Sequence, residues 1–177
     1  MVYLLLMDGF EEIEALATVD VLRRGGVEVC TAGLGGKVLT GAHDITVHAD
    51  ITLEEINKDD MSMLILPGGA GHVNLDNSPE VHSLIDFAAQ KDIHIAAICA
   101  SPSILGKKGL LKGHKAVCFP GFEKFLDGAE VLSERTAVSG RFITANGAGS
   151  AIAFAYELLK ILKGEETARN VVSSMRY

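Results

Sequence analysis

The chain has 177 residues, of which 48% are hydrophobic, and 16 Lys and Arg stand against 23 Asp and Glu for a formal charge of −7 at pH 7. That apolar content excludes an intrinsically disordered chain, and an acidic balance without a Lys/Arg-rich block excludes a nucleic-acid binder. The three cysteines, Cys30, Cys99 and Cys118, are odd in number and lack metal-ligand spacing. They read as reduced thiols of a cytoplasmic protein, with no metal site among them.

Met1 to Met7 is apolar but too short for a membrane span or a signal peptide, and acidic residues follow at once, so Val2 to Met7 is expected as the first core strand. A helix is expected from near Glu11 to Arg24, stopped by Gly25-Gly26. Val27 to Leu34 reads as a second strand, which makes the opening a βαβ unit and implies a parallel sheet. Gly33 to Asp50 reads as an excursion of short strands, and Ile51 to Asn57 as a short helix. Ser62 to Leu66 is the third core strand, broken by Pro67-Gly68-Gly69-Ala70-Gly71, and a helix follows from about Pro79 to Gln90.

Ile93 to Ile98 is a short, β-branched run of the kind that fills a buried parallel strand. It stops on Cys99-Ala100-Ser101, and Pro102 suits the first turn of a helix that runs to about Lys108. Lys115 to Phe119 is expected as a further strand ended by Pro120-Gly121, and Ala137 to Ala145 as a hairpin around Ser139-Gly140. Helices are expected over Ser150 to Lys163 and Glu165 to Ser174. With no repeat or linker, the pattern predicts one domain over residues 1–177: a doubly wound, flavodoxin-like α/β fold with a mostly parallel sheet sandwiched by helices.

In such sheets ligands bind beyond the carboxyl ends of the strands. Four loops leave those ends with unusual chemistry: Asp8 to Glu14, Pro67 to Gly71, Cys99 to Ser101 and Asn146 to Gly149. A strand that ends on a cysteine and turns directly into a helix has the layout of a nucleophile elbow, where the first N–H groups of the helix favour a thiolate and so a low thiol pKa. The residues alone equally allow a buried cysteine in a tight turn. Gly68 and Gly69 could bring backbone N–H groups toward a bound carbonyl, with the Ala100 N–H as a further donor, or could simply form a structural turn. The P-loop and dinucleotide patterns are not met there.

Glu11 and Glu12 are explained as solvated residues favoured by the helix dipole. Glu14, beside Ile13, Ala15, Leu16 and Ala17, could point inward toward Cys99, where burial would raise its pKa, or could be a solvated first-turn acid like its neighbours. No histidine follows Cys99; His72, after the glycine-rich loop, is the pocket-adjacent one, and His94 reads as a core or edge residue. Cys30 reads as inert. Cys118 reads as buried or flanking the site.

Gly9-Phe10-Glu11-Glu12-Ile13-Glu14, Leu66-Pro67-Gly68-Gly69 and Ala96-Ala97-Ile98-Cys99-Ala100-Ser101-Pro102, in this order and spacing, closely resemble the ThiJ/PfpI superfamily, in the branch of YajL-like proteins and parkinsonism-associated deglycases. The resemblance spans nearly the whole chain. It implies a class I glutamine amidotransferase-like fold, with Cys99 as the reactive, oxidisable cysteine, Glu14 as a protonated glutamate beside it, and Gly69 and Ala100 as backbone donors. It further implies a homodimer without cofactor that is linked to glyoxal and methylglyoxal detoxification, protein deglycation and oxidative-stress protection. Two departures matter: Ala100 stands where protease-like members carry His, which disfavours a peptidase, and Phe119 precedes Pro120 where the deglycase branch often has His. The work of a proton shuttle would then fall to Glu14. The expectation is a Cys99-dependent enzyme acting on a small aldehyde or glycated substrate, and the alternative is a redox sensor or chaperone that signals through Cys99 oxidation.

Overall fold

The computed structural model describes residues 1–177. Its central sheet has seven strands in the order β10-β11-β7-β6-β1-β2-β5. These are β1 (Val2–Leu6), β2 (Val29–Gly33), β5 (Ile51–Thr52), β6 (Met63–Leu66), β7 (His94–Ile98), β10 (Thr136–Ser139) and β11 (Phe142–Ala145). All neighbours pair in parallel except β10 with β11. Strands β1 and β6 are buried at every residue, as strands covered on both faces must be, which is why their sequences are unbroken apolar runs rather than alternating ones.

Helices α1 (Glu12–Arg24), α5 (Ala151–Lys163) and α6 (Glu165–Ser174) pack together, and α3 (Pro79–Gln90) lies against β6 and β7. α2 (His72–Asp76) and α4 (Pro102–Lys107) are short. The architecture is a doubly wound, flavodoxin-like and class I glutamine amidotransferase-like sandwich. No helix is long and apolar enough to cross a membrane.

From β1 the chain winds outward to β2 and β5, then returns to the other side of β1 as β6 and β7. The order therefore reverses between β1 and β6. The loops leaving their carboxyl ends, together with the turn after β7, flank the crevice such a reversal opens.

Two stretches differ from expectation and one matches it. Ile51–Thr52 is an edge strand paired with Ala32 and Gly33, and only Leu53–Glu55 coils, as a single 3₁₀ turn. The expected strand Lys115 to Phe119 shrinks to β8 (Lys115–Ala116), which pairs with β9 (Glu130–Val131) outside the main sheet. Beyond it the Val117 N–H goes to Thr144 Oγ1 at 2.9 Å and the Phe119 N–H to the Cys99 carbonyl at 2.7 Å, so no ladder continues. The excursion after β2 is the hairpin β3 (Val38–Thr40) and β4 (Thr46–His48), as its alternation suggests.

Candidate functional site

Cys99 follows β7 directly and stands at φ +66°, a left-handed conformation that costs a β-carbon-bearing residue roughly 1–2 kcal/mol. The turn is held by its surroundings: the Cys99 N–H donates to Ala145 (2.9 Å), its carbonyl accepts from Phe119 (2.7 Å), and the Ser101 hydroxyl donates to the Pro67 carbonyl (2.6 Å). A strained residue fixed by bonds on both sides is a pre-set position, with the sulfur presented at the end of the sheet.

The Gly68-Gly69 turn closes over it. A side-chain carbon on Gly68 would lie 2.5 Å from Cys99 Cβ and 2.8 Å from Glu14 Oε2, so only hydrogen fits between cysteine and carboxyl. Gly69 holds φ +94°, and a Cβ there would meet the Glu11 nitrogen at 2.4 Å. The Glu11 N–H donates to the Gly68 carbonyl (3.0 Å), and the Gly71 N–H donates to the Gly9 carbonyl (2.8 Å), locking the loops after β1 and β6 together. The backbone N–H groups of Gly69 and Ala100 lie on the side of the Cys99 sulfur and pull its proton affinity down.

Glu14 is 1% exposed. Its Oε2 accepts the Gly68 N–H at 2.8 Å, and its Oε1 is buried without a hydrogen-bond partner. Burial pushes this carboxyl up to about 7, against the pull of the Gly68 N–H and the neighbouring Cys99, with the Glu11 charge adding to the rise. Burial also pushes the Cys99 thiol up, to about 12, and the Glu14 charge adds to this while the Gly69 and Ala100 N–H groups pull it down.

The expectation of a low-pKa thiol is thereby corrected. α4 spans only Pro102–Lys107 and burial outweighs its pull, so the cysteine is not a thiolate merely because a helix follows. Its ionisation is tied to Glu14. A charged carboxyl repels the thiolate, while a protonated one removes that repulsion and offers the sulfur a donor, so the two titrate as a pair.

Glu12 also departs from expectation. It is 6% exposed rather than solvated. Its carboxylate accepts the His43 N–H (2.7 Å) and meets His43 Nδ1 (2.9 Å), tying the tip of the β3–β4 hairpin to α1. These bonds hold its pKa down despite burial. Gly41 leaves the room, since a Cβ there would strike Glu12 Oε1 at 2.3 Å. The partners lie 31 residues apart, so the sequence carried no local signal for them beyond an unpaired His in a turn.

His72 has its Nδ1 3.0 Å from the Gly69 carbonyl and its ring edge-on to Phe122. His94 opens β7 opposite Met63. Cys118 is 7% exposed, and burial pushes its thiol up to about 11. Glu11, Glu12 and His43 offer metal-ligating atoms within 4.8 Å of one another, although those of Glu12 are already engaged by His43.

Residues 1–161 match the family model described as the DJ-1/PfpI family. The glutathione-independent glyoxalase DJR-1.2 of Caenorhabditis elegans is 29% identical over 166 residues, covering 93% of this chain and 89% of its own. A deglycase of Pyrococcus abyssi is 29% identical over 164 residues, covering 92% of this chain and 99% of its own. The solved structure of oxidised DJ-1 from Toxoplasma gondii resembles this fold with a TM-score of 0.94 at 30% identity, covering 99% of this chain and 97% of that one.

Proposed function

The chain belongs to the DJ-1/PfpI family, and from that premise we propose that it is a cysteine-dependent enzyme of glyoxalase or deglycase type acting on small reactive aldehydes or glycated adducts. The observation that carries this reading is a buried carboxyl, Glu14, brought to about 7 beside a cysteine on a strained turn. A group that gains and loses a proton near neutrality is suited to general acid–base work.

For a 2-oxoaldehyde such as methylglyoxal, the Glu14 carboxylate takes the Cys99 thiol proton as the sulfur adds to the aldehyde carbon. The new alkoxide lies where the Gly69 and Ala100 N–H groups can stabilise it, and Glu14 passes the same proton to it to give a hemithioacetal. The Glu14 carboxylate then removes the proton on the former aldehyde carbon and returns it to the neighbouring carbonyl carbon. One carbon is oxidised as the other is reduced, leaving a lactoyl thioester. Water cleaves the thioester, releasing lactate and regenerating the thiol, so one water is consumed and no outside oxidant or cofactor enters. With a glycated adduct the amine departs as the leaving group.

Lactate formation from methylglyoxal, compared between wild type and Cys99→Ser, tests the reading: the serine variant is expected to be inactive, and wild-type turnover without Cys99 overturns it. A second reading is supported by the same two N–H donors, which suit a sulfinate as well as an alkoxide. In it, oxidation of Cys99 is itself the signal of a redox sensor or chaperone, and a protein that oxidises readily but forms no lactate belongs there. The proposal includes one domain over residues 1–177 working as a cytoplasmic homodimer. Light scattering after size exclusion is expected to give about twice the 18.8 kDa chain mass.

A further inference from the structure

We propose that Ser101 is a positioning residue of this site: its hydroxyl, acting through the Pro67–Gly68 peptide, fixes where Glu14 points beside Cys99. The inference rests on the reading of Cys99 and Glu14 as the reacting pair.

Ser101 is fully buried at the start of α4, yet its side chain makes no cap there. A serine in that place ordinarily turns its oxygen onto the first N–H groups of the helix. Here Pro102 brings no N–H, and the Ser103 and Ile104 N–H groups donate to the Ala100 and Ser101 carbonyls, both at 3.0 Å. The hydroxyl is therefore free to reach a segment 34 residues away in sequence, and it donates to the Pro67 carbonyl at 2.6 Å. No backbone N–H serves that carbonyl, which follows β6 inside the protein.

The Pro67 carbonyl and the Gly68 N–H belong to one peptide group, and that N–H donates to Glu14 Oε2 at 2.8 Å. Hydroxyl, peptide and carboxyl thus form a continuous chain. A bond to the peptide oxygen draws charge from the nitrogen and strengthens its N–H as a donor. The next peptide repeats the pattern: the Gly68 carbonyl accepts the Glu11 N–H at 3.0 Å, and the Gly69 N–H lies on the side of the Cys99 sulfur. Each member of the reacting pair is addressed by its own peptide, and the one that holds Glu14 is braced by a side chain. With Oε2 pinned, Oε1 is the buried oxygen left without a partner, the atom that can take and return the proton in the proposed reaction. Ser101 stands two residues after Cys99, so the cysteine and the brace for its carboxyl partner are built on the same turn.

The test compares Ser101→Ala with Ser103→Ala in the full chain. Ser103 lies on the same short helix and is equally buried, but its hydroxyl has no partner, so its removal breaks no bond. Ser101→Ala is expected to move the Gly68 amide proton resonance upfield as the bond to Glu14 loosens. It is also expected to lower kcat for lactate formation roughly tenfold with KM little changed. Ser103→Ala is expected to leave the Gly68 resonance and kcat at wild-type values. An unmoved Gly68 amide or an unchanged kcat in Ser101→Ala overturns the proposal. So does a kcat lowered as much by Ser103→Ala, which is what a merely structural disturbance of α4 would produce. Wild-type protein that forms no lactate overturns the proposed function, whereas an unmoved Gly68 amide overturns the role of Ser101 alone.

Discussion

Gly68 and Cys99 are in such close contact that a methyl group on the first would lie 2.5 Å from the Cβ of the second. Gly68→Ala must therefore displace the cysteine, the carboxyl or the loop. Displacement of about 1 Å at a reacting centre costs on the order of 10²-fold in rate, and overpacking costs roughly 1–3 kcal/mol. Kinetics and a thermal melt on the same variant are expected to show turnover falling far more than stability; an alanine variant with wild-type turnover would place the reacting sulfur elsewhere.

Glu14 makes stability depend on pH in an unusual direction. Its carboxyl is raised from 4.5 to about 7 in the folded state. The folded protein thus binds the extra proton between these values, and the associated stability is present below pH 4.5 and lost as pH rises through 7. The shift corresponds to at most roughly 3 kcal/mol. Glu14→Gln carries no charge to bury, so its melting temperature is expected to exceed that of wild type at pH 8 and to approach it at pH 5. An equal offset at both pH values contradicts a titrating Glu14.

Peroxide is expected to act at one thiol. Cys118 is buried, and neither it nor Cys30 has the backbone N–H groups and neighbouring carboxyl that surround the Cys99 sulfur. Cys99 has two backbone N–H donors and a carboxyl beside it, groups that stabilise a sulfinate. Intact mass after limiting peroxide is expected to rise by about two oxygens, localised to Cys99, with lactate formation lost in parallel. A Cys99–Cys118 disulfide as the main product would instead make Cys118 a resolving cysteine.

Glu12→Ala removes the acceptor for the His43 N–H and the partner of its ring. Loss of a charged acceptor of this kind costs about 1–3 kcal/mol. Hydrogen exchange is expected to quicken at the His43 and Ile45 amides and to stay slow in β1 and β6. Unchanged protection of the hairpin would mean that β3 and β4 hold themselves in place.

What could be read from the sequence was whatever depends on neighbours along the chain. Unbroken apolar runs announced β1, β6 and β7, and the bounds of α3 and α6 follow from Pro79, Gly164 and the periodicity between. The Cys99 turn was visible because a β-branched run ends abruptly on small residues before a proline. What could not be read depends on acceptors that arrive from elsewhere. Lys115 to Phe119 looks like a strand, yet Thr144 and Cys99 take its N–H groups. Glu12 looks like an ordinary first-turn acid until the hairpin folds over it. The thiol's proton affinity was misjudged for the same reason, since burial outweighs a helix of one and a half turns.

The two margins of the central sheet bear on self-association. β5 offers only Ile51–Thr52 before the backbone coils away. At the opposite margin the Ser139 hydroxyl accepts the Lys115 N–H at 3.2 Å and meets His114 Nδ1 at 3.1 Å, so a side chain of β10 ties the β8 segment across the strand that would otherwise lie open. A sheet this apolar, left with long bare borders, would template strand addition by other copies of the chain. One border is too short to extend and the other is covered by its own chain, so the strongly hydrophobic centre offers little open backbone on which a second copy could add a strand.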